Sequence, residues 1–181
     1  MIKSLNLIFS SIFIILLFNC GGPTQEQKQV IDAQVQLEKD LEMYKYVWGE
    51  FFKGDTSIVN EKYFTEDVTV VTPEGDLVGI EAVKNHYLNF FIGFSDVEFT
   101  IVDAFGQGDK IVKHWNFKGV HTGVFFGIPA TGNNLNLSGT TLVEMKDGKI
   151  AKEQDFFDMQ SMISQLNKSE GDIIIDEYMG M

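Results

Sequence analysis

The chain has 181 residues, of which 44% are hydrophobic, 13% aromatic and 22% charged, a composition that supports one globular domain and excludes both a disordered chain and a multi-domain assembly. Asp and Glu number 26 against 14 Lys and no Arg, which leaves a net charge of −12. Nucleic-acid binding is thereby excluded, because it needs a basic stripe to neutralise phosphates and bidentate readers that this sequence lacks.

In chain order, Lys3 precedes the apolar run Leu5 to Phe18. This stretch of roughly 14 residues suits a secretory signal better than a membrane span, which needs about 20. The segment Leu17-Phe18-Asn19-Cys20-Gly21-Gly22 resembles a bacterial lipobox, in which Leu stands three before the Cys that becomes the acylated N-terminus. Phe18 and Asn19 occupy positions where that pattern usually has small residues. Cys20 is the only Cys, so an exported domain has no internal disulfide to make with it, and lipidation gives it a role. The other reading is a plain secretory signal with an incidental Cys. Residues 1–19 are taken as a lipoprotein signal, with a membrane-anchored protein of the bacterial cell envelope as the expectation. Gly21 stands where some bacteria place an Asp for inner-membrane retention, which points to the outer membrane in a Gram-negative host. Residues 20–29, small and polar from Gly21 to Lys28, read as a flexible tether.

From Val30 apolar residues recur at three- and four-residue spacing through Leu37, Tyr44, Trp48 and Phe52, and Gly54-Asp55 stops the run. That period predicts a long amphipathic helix whose aromatics are core, with some roofing a pocket. Thr56 reads as the cap of a short helix to about Tyr63, Val68 to Thr72 as a strand ended by Pro73-Glu74-Gly75-Asp76, and Ile80 to Phe91 as a third helix. After Gly93 the period changes to two. Val97 to Ala104, Lys110 to Val120, Leu135 to Lys146 and Ile150 to Phe157 predict four antiparallel strands, and Asp158 to Leu166 a closing helix. Helices followed by a meander make the class α+β, with one domain over 30–167. A tail over 168–181 carries Ile173-Ile174-Ile175, which reads either as an edge strand or as unpaired chain.

The stretch Gly119 to Gly132, Gly-Val-His-Thr-Gly-Val-Phe-Phe-Gly-Ile-Pro-Ala-Thr-Gly, resembles the G-x-H-x-G-x-x-x-G-x-P-P-T-G segment of SnoaL-like polyketide cyclases. Asp147-Gly148-Lys149-Ile150 through Asp155, with Gln165-Leu166 after it, is similar to that family's D-G-K-I-x-x-x-x-D ending. The resemblance covers about residues 35–167. It implies a cone-shaped nuclear-transport-factor-2-like fold, with helices packed on a curved antiparallel sheet around a pocket for a small hydrophobic molecule. It also implies chemistry without a cofactor or metal, namely ring closure by intramolecular aldol condensation, with a carboxylate matching Asp155 as general acid and base. Pairing through the sheet into a homodimer is a further implication.

The residues carry their own argument. Alternation sends Glu153, Asp155 and Phe157 to one face of a strand, and a carboxylate beside aromatics on a concave face would be partly desolvated, raising its pKa toward a working base. The other reading has Asp155 facing water or bonded to a neighbouring Thr. Thr141 stands where the cyclases carry a His; a bulged Asp147-Gly148 hairpin would set its hydroxyl opposite Asp155. His121, with Trp115 and Phe117 at even offsets on its strand, either lines the pocket mouth or braces the Gly127-Ile128-Pro129 loop. The pocket is therefore expected to hold Thr141, His121, Trp115, Phe117, Trp48 and Phe157 around catalytic Asp155. His86 and His114 stand apart from any ligand partner, and no metal site is expected. Two functions stay open: a cyclase- or isomerase-type lyase, or a lipid-anchored module that binds a small molecule or a protein without chemistry.

Overall fold

The computed structural model describes residues 22–168; the proposed signal, Cys20 and the Ile173–Ile175 cluster lie outside the described residues. Helix α1 (Gln25–Phe52) starts where Thr24 accepts a hydrogen bond from the Gln27 amide while the Gln27 side chain accepts one from the Thr24 amide. This capping box satisfies two end donors at once, so the helix begins five residues before Val30, inside the stretch read as tether. Its opening turns are polar and carry no apolar stripe, which is why periodicity places the start too late. Val30 and Val35 are exposed, and packing begins only at Leu37. Beyond that, Tyr44, Val47, Trp48 and Phe51 are wholly buried. No helix among the described residues is long and apolar enough to cross a membrane.

The expected helix from Thr56 to Tyr63 is a single 3₁₀ turn, Thr56–Ile58, capped by Asp55. The Asn60 carbonyl accepts from the Tyr63 and Phe64 amides and closes a turn there instead. Strand β1 (Phe64–Val71) follows, then a two-residue strand β2 (Leu77–Val78) that the sequence reading did not foresee, then α2 (Ile80–Gly93). Four long strands complete the sheet: β3 (Phe94–Gln107), β4 (Lys110–His121), β5 (Asn134–Lys146) and β6 (Lys149–Phe157), and α3 (Met159–Leu166) closes the fold with Asp158 accepting from the Ser161 amide. The six strands run in the order β2-β1-β6-β5-β4-β3. All neighbours are antiparallel, the four-stranded meander β3 to β6 included, except β1 and β6, which pair in parallel. Bulges in β3 and at the β5–β6 turn bend the sheet, and the three helices pack on it.

Three cross-strand rows on the inner face position the site. Ile111, Val143 and Glu153 form one, Lys113, Thr141 and Asp155 the next, and Trp115, Gly139 and Phe157 the third. The bulge between Glu144 and Met145 sets this register, so Thr141 lies opposite Asp155. Trp115 lies against the bare face of Gly139, where a Cβ would stand 2.2 Å from the indole Cζ2. The small residue makes room for the large one.

Candidate active site

A cavity of about 610 Å³ opens between the inner face of the sheet and the helices. Trp48, Tyr87, Trp115, Phe117 and Phe157 line it as apolar walls, and Lys113 and Asp155 bring charge into it. Concave, aromatic walls with a few convergent polar groups are the usual make-up of a small-molecule site.

Asp155 is half-buried and both its oxygens are occupied. Tyr87 donates its hydroxyl to Oδ2 at 2.9 Å, and Thr141 donates to Oδ1 at 2.5 Å. Thr141 Oγ1 in turn accepts from the Trp115 indole Nε1 at 3.0 Å. An indole can only donate, so the Thr141 hydrogen points toward the carboxylate and the relay Trp115–Thr141–Asp155 has one direction. Burial, with Asp155 next, pushes the Tyr87 phenol well above its ordinary value, so it stays protonated as a donor. Two donors, one per oxygen, fix the plane of the carboxylate and solvate its charge.

A second carboxylate stands one row deeper. Glu153 is wholly buried beneath α1, where Oε1 accepts from the Tyr44 hydroxyl at 2.5 Å and from Trp48 Nε1 at 3.1 Å, while Oε2 has no hydrogen-bond partner among the described residues. Burial pushes its pKa up to about 7, with the Lys113 ammonium opposing that rise and Asp155 adding to it. Burial likewise pushes the Tyr44 phenol up, reinforced by Glu153. The sequence reading placed Glu153 on this face and took Tyr44 for plain core. The parity of Lys113 with Trp115 puts it on the inner face as well.

The remaining residues singled out from sequence separate into two groups. Trp48, Trp115, Phe117 and Phe157 line the cavity, and Thr141 sits behind Asp155, buried. His121 is not on the cavity wall: it is buried beside the 122–133 loop, its Nδ1 3.0 Å from Thr131 Oγ1 and its ring 5.2 Å from that of Phe94. Its backbone carbonyl also accepts from the Gly132 amide, so it braces the loop. That loop turns at Phe126 and Gly127, both at positive φ, with Phe125 and Ile128 exchanging hydrogen bonds across it, and it sets Phe126 into the cavity wall. His114 faces outward against Ser138. His86 lines the cavity 5.1 Å from Phe126, and burial lowers its pKa against the pull of Asp155 and Glu74. Among the described residues no three His, Cys, Asp or Glu side chains gather closely enough to hold a metal ion.

The sequence profile of the SnoaL-like polyketide cyclases matches residues 41–166, most of the chain and every element that builds this cavity. The chain belongs to the SnoaL-like polyketide cyclase family. Solved structures agree at the level of fold, that of the nuclear-transport-factor-2-like proteins. A SnoaL-like protein from Jannaschia sp. CCS1 superposes with a TM-score of 0.62 at 19% identity, covering 82% of this chain and 99% of its own. TsrD from Streptomyces laurentii gives 0.62 at 22%, covering 74% and 96%, and IdmH from Streptomyces antibioticus gives 0.57 at 20%, covering 71% and 99%. No curated protein matches the chain. In this member of the family the donor to Asp155 from the neighbouring strand is the Thr141 hydroxyl.

Proposed function

We propose that the protein binds a small, hydrophobic, carbonyl-bearing molecule and that Asp155 acts on it as general acid and base in a cyclase- or isomerase-type reaction. The observation that carries this reading is Asp155 itself, a carboxylate fixed by donors on both oxygens at the wall of an aromatic cavity. Such a base takes a proton from the carbon next to a carbonyl, a transfer that contributes about 10² to 10⁴-fold, while the close walls hold the substrate folded for attack. Thr141 and Tyr87 act as positioning residues that keep the acceptor oxygens in place.

The test is native mass spectrometry of the protein purified from its own host, followed by identification of what is bound. A co-purifying carbonyl compound turned over by the wild type and not by Asp155→Asn supports the reading. A ligand held equally by both proteins and changed by neither overturns it, leaving a binding module. We also place the protein at the bacterial cell envelope, tethered through a lipid on Cys20, on the strength of the lipobox-like Leu17 to Cys20. Metabolic labelling with a fatty acid that persists in Cys20→Ser would overturn that placement.

A further inference from the structure

We propose that Lys113 is a catalytic residue of this cavity, its ammonium receiving the carbonyl oxygen of the ligand as that oxygen becomes an enolate. The inference rests on the reading of Asp155 as the base and names what that base works against. Lys113 is 3% exposed and lines the cavity, so its charge is out of bulk water and in reach of a ligand. Among the described residues it makes neither a hydrogen bond nor an ion pair. What surrounds the ammonium is three aromatic rings, Tyr44 at 5.2 Å, Trp48 at 4.9 Å and Phe99 at 5.5 Å. Ring faces stabilise a cation without using its N–H donors, so three donors remain for an oxygen that enters the cavity. Buried charges are ordinarily paired, and one left unpaired at the wall of a cavity points to a ligand that completes it.

Register supplies the geometry. Lys113, Thr141 and Asp155 are direct neighbours across β4, β5 and β6. Strands stand about 4.8 Å apart, so the Cα atoms of Lys113 and Asp155 lie roughly 10 Å from each other, with the small, buried Thr141 between them. That gap suits a carbonyl group and its α-carbon. Asp155 takes the α-proton, the C–H electron pair becomes the C=C bond, and the carbonyl π pair moves onto oxygen beside Lys113. Negative charge thus leaves Asp155 and reappears opposite an ammonium, and the net charge of the cavity does not change. A donor already aimed at the place where charge develops lowers the barrier most in a site that excludes water. Burial lowers the Lys113 pKa, while Glu153 and Asp155 hold it up, so the group is a more acidic ammonium and a stronger donor than a surface lysine.

The test needs no knowledge of the substrate. Asp155→Asn carries no charge at this position and mimics the base after it has taken its proton, leaving Glu153 as the acidic group that acts on Lys113. In this variant 2-naphthol, a planar phenol that stands for the enolate, is expected to bind in its ionised form at neutral pH, where a phenol of pKa about 10 is protonated in water. The naphtholate absorbance reports the ground state directly. Adding Lys113→Met, which keeps length and loses charge, is expected to abolish the ionised signal and weaken binding about tenfold or more, while 2-methoxynaphthalene, which cannot ionise, binds both variants alike. Naphthol bound as the neutral phenol in Asp155→Asn, or ionised equally with Met at 113, overturns the role of Lys113. Binding of 2-methoxynaphthalene and circular dichroism establish that each variant is folded; should Lys113→Met fail there, Lys113→Gln replaces it under the same criteria. Because the readout is binding, failure here leaves the turnover test of Asp155 standing, and failure of that test leaves this one intact.

Discussion

Thr141 carries more of the site than its size suggests. It is wholly buried, accepts from Trp115 Nε1 and donates to Asp155 Oδ1, so one hydroxyl settles the position of an indole and of a carboxylate. A Thr141→Val substitution keeps the shape and removes both bonds. A buried indole N–H without an acceptor and a carboxylate oxygen without its donor together cost about 1–3 kcal/mol. A fall of several degrees in Tm is therefore expected for Thr141→Val, with Thr141→Ser close to wild type. Chemical denaturation of the three proteins checks this. A Val variant as stable as the Ser variant would mean that the hydroxyl bridges nothing. Glu153 and Lys113 are a contrasting pair on the same face: each keeps polar atoms unused that Thr141 would have satisfied, Oε2 in one case and the ammonium donors in the other.

At the level of elements, the site is a consequence of register across three strands. Gly139 on β5 sits between Trp115 and Phe157, and only its missing side chain lets the indole lie flat enough to reach Thr141 two positions on. Gly139→Ala would drive a Cβ to 2.2 Å from the ring, too close for any adjustment short of moving the indole or the strand. The expected outcome is a change in near-UV circular dichroism and Trp emission together with weakened ligand binding, whereas an unchanged indole environment would contradict the placement. Much of this level is readable from the sequence. A period of two over Val97 to Phe157 marks four strands and the face of each residue, and the Asp147-Gly148 turn with one bulge sets Thr141 opposite Asp155. Depth is not readable in the same way. Alternation puts Glu153 and Asp155 on one face, but which is sealed depends on what α1 lays over them, and Tyr44 and Trp48 stand 109 and 105 positions away from Glu153. For the same reason Lys113 reads as one more lysine on a strand until its three ring neighbours are assembled around it. His121 shares parity with Trp115 and Phe117 yet lies beyond the cavity, because the strand is longer than the wall it helps to form.

Over the whole molecule, the buried carboxylate ties stability to pH. In the folded protein Glu153 holds its proton up to about pH 7, whereas an ordinary Glu releases it near 4.5. Between those values the folded state binds more protons than the unfolded chain, so stability falls as pH rises, and the fall ends above about 7, where both states are ionised. The gap between the two values corresponds to about 3 kcal/mol. General repulsion does act in the same direction, because 26 acidic groups stand against 14 basic ones and their charge grows over this range. The contribution of Glu153 is therefore the difference between wild type and Glu153→Gln, which keeps an acceptor for Tyr44 and Trp48 but cannot ionise. Urea titrations from pH 4.5 to 8 are expected to show the wild type losing stability relative to the variant, by up to about 3 kcal/mol at the upper end. Parallel profiles would mean that Glu153 is ionised in the fold throughout. Its charge would then stand beneath the cavity, buried on the same face as Asp155 and held there against the cost of burial by Lys113.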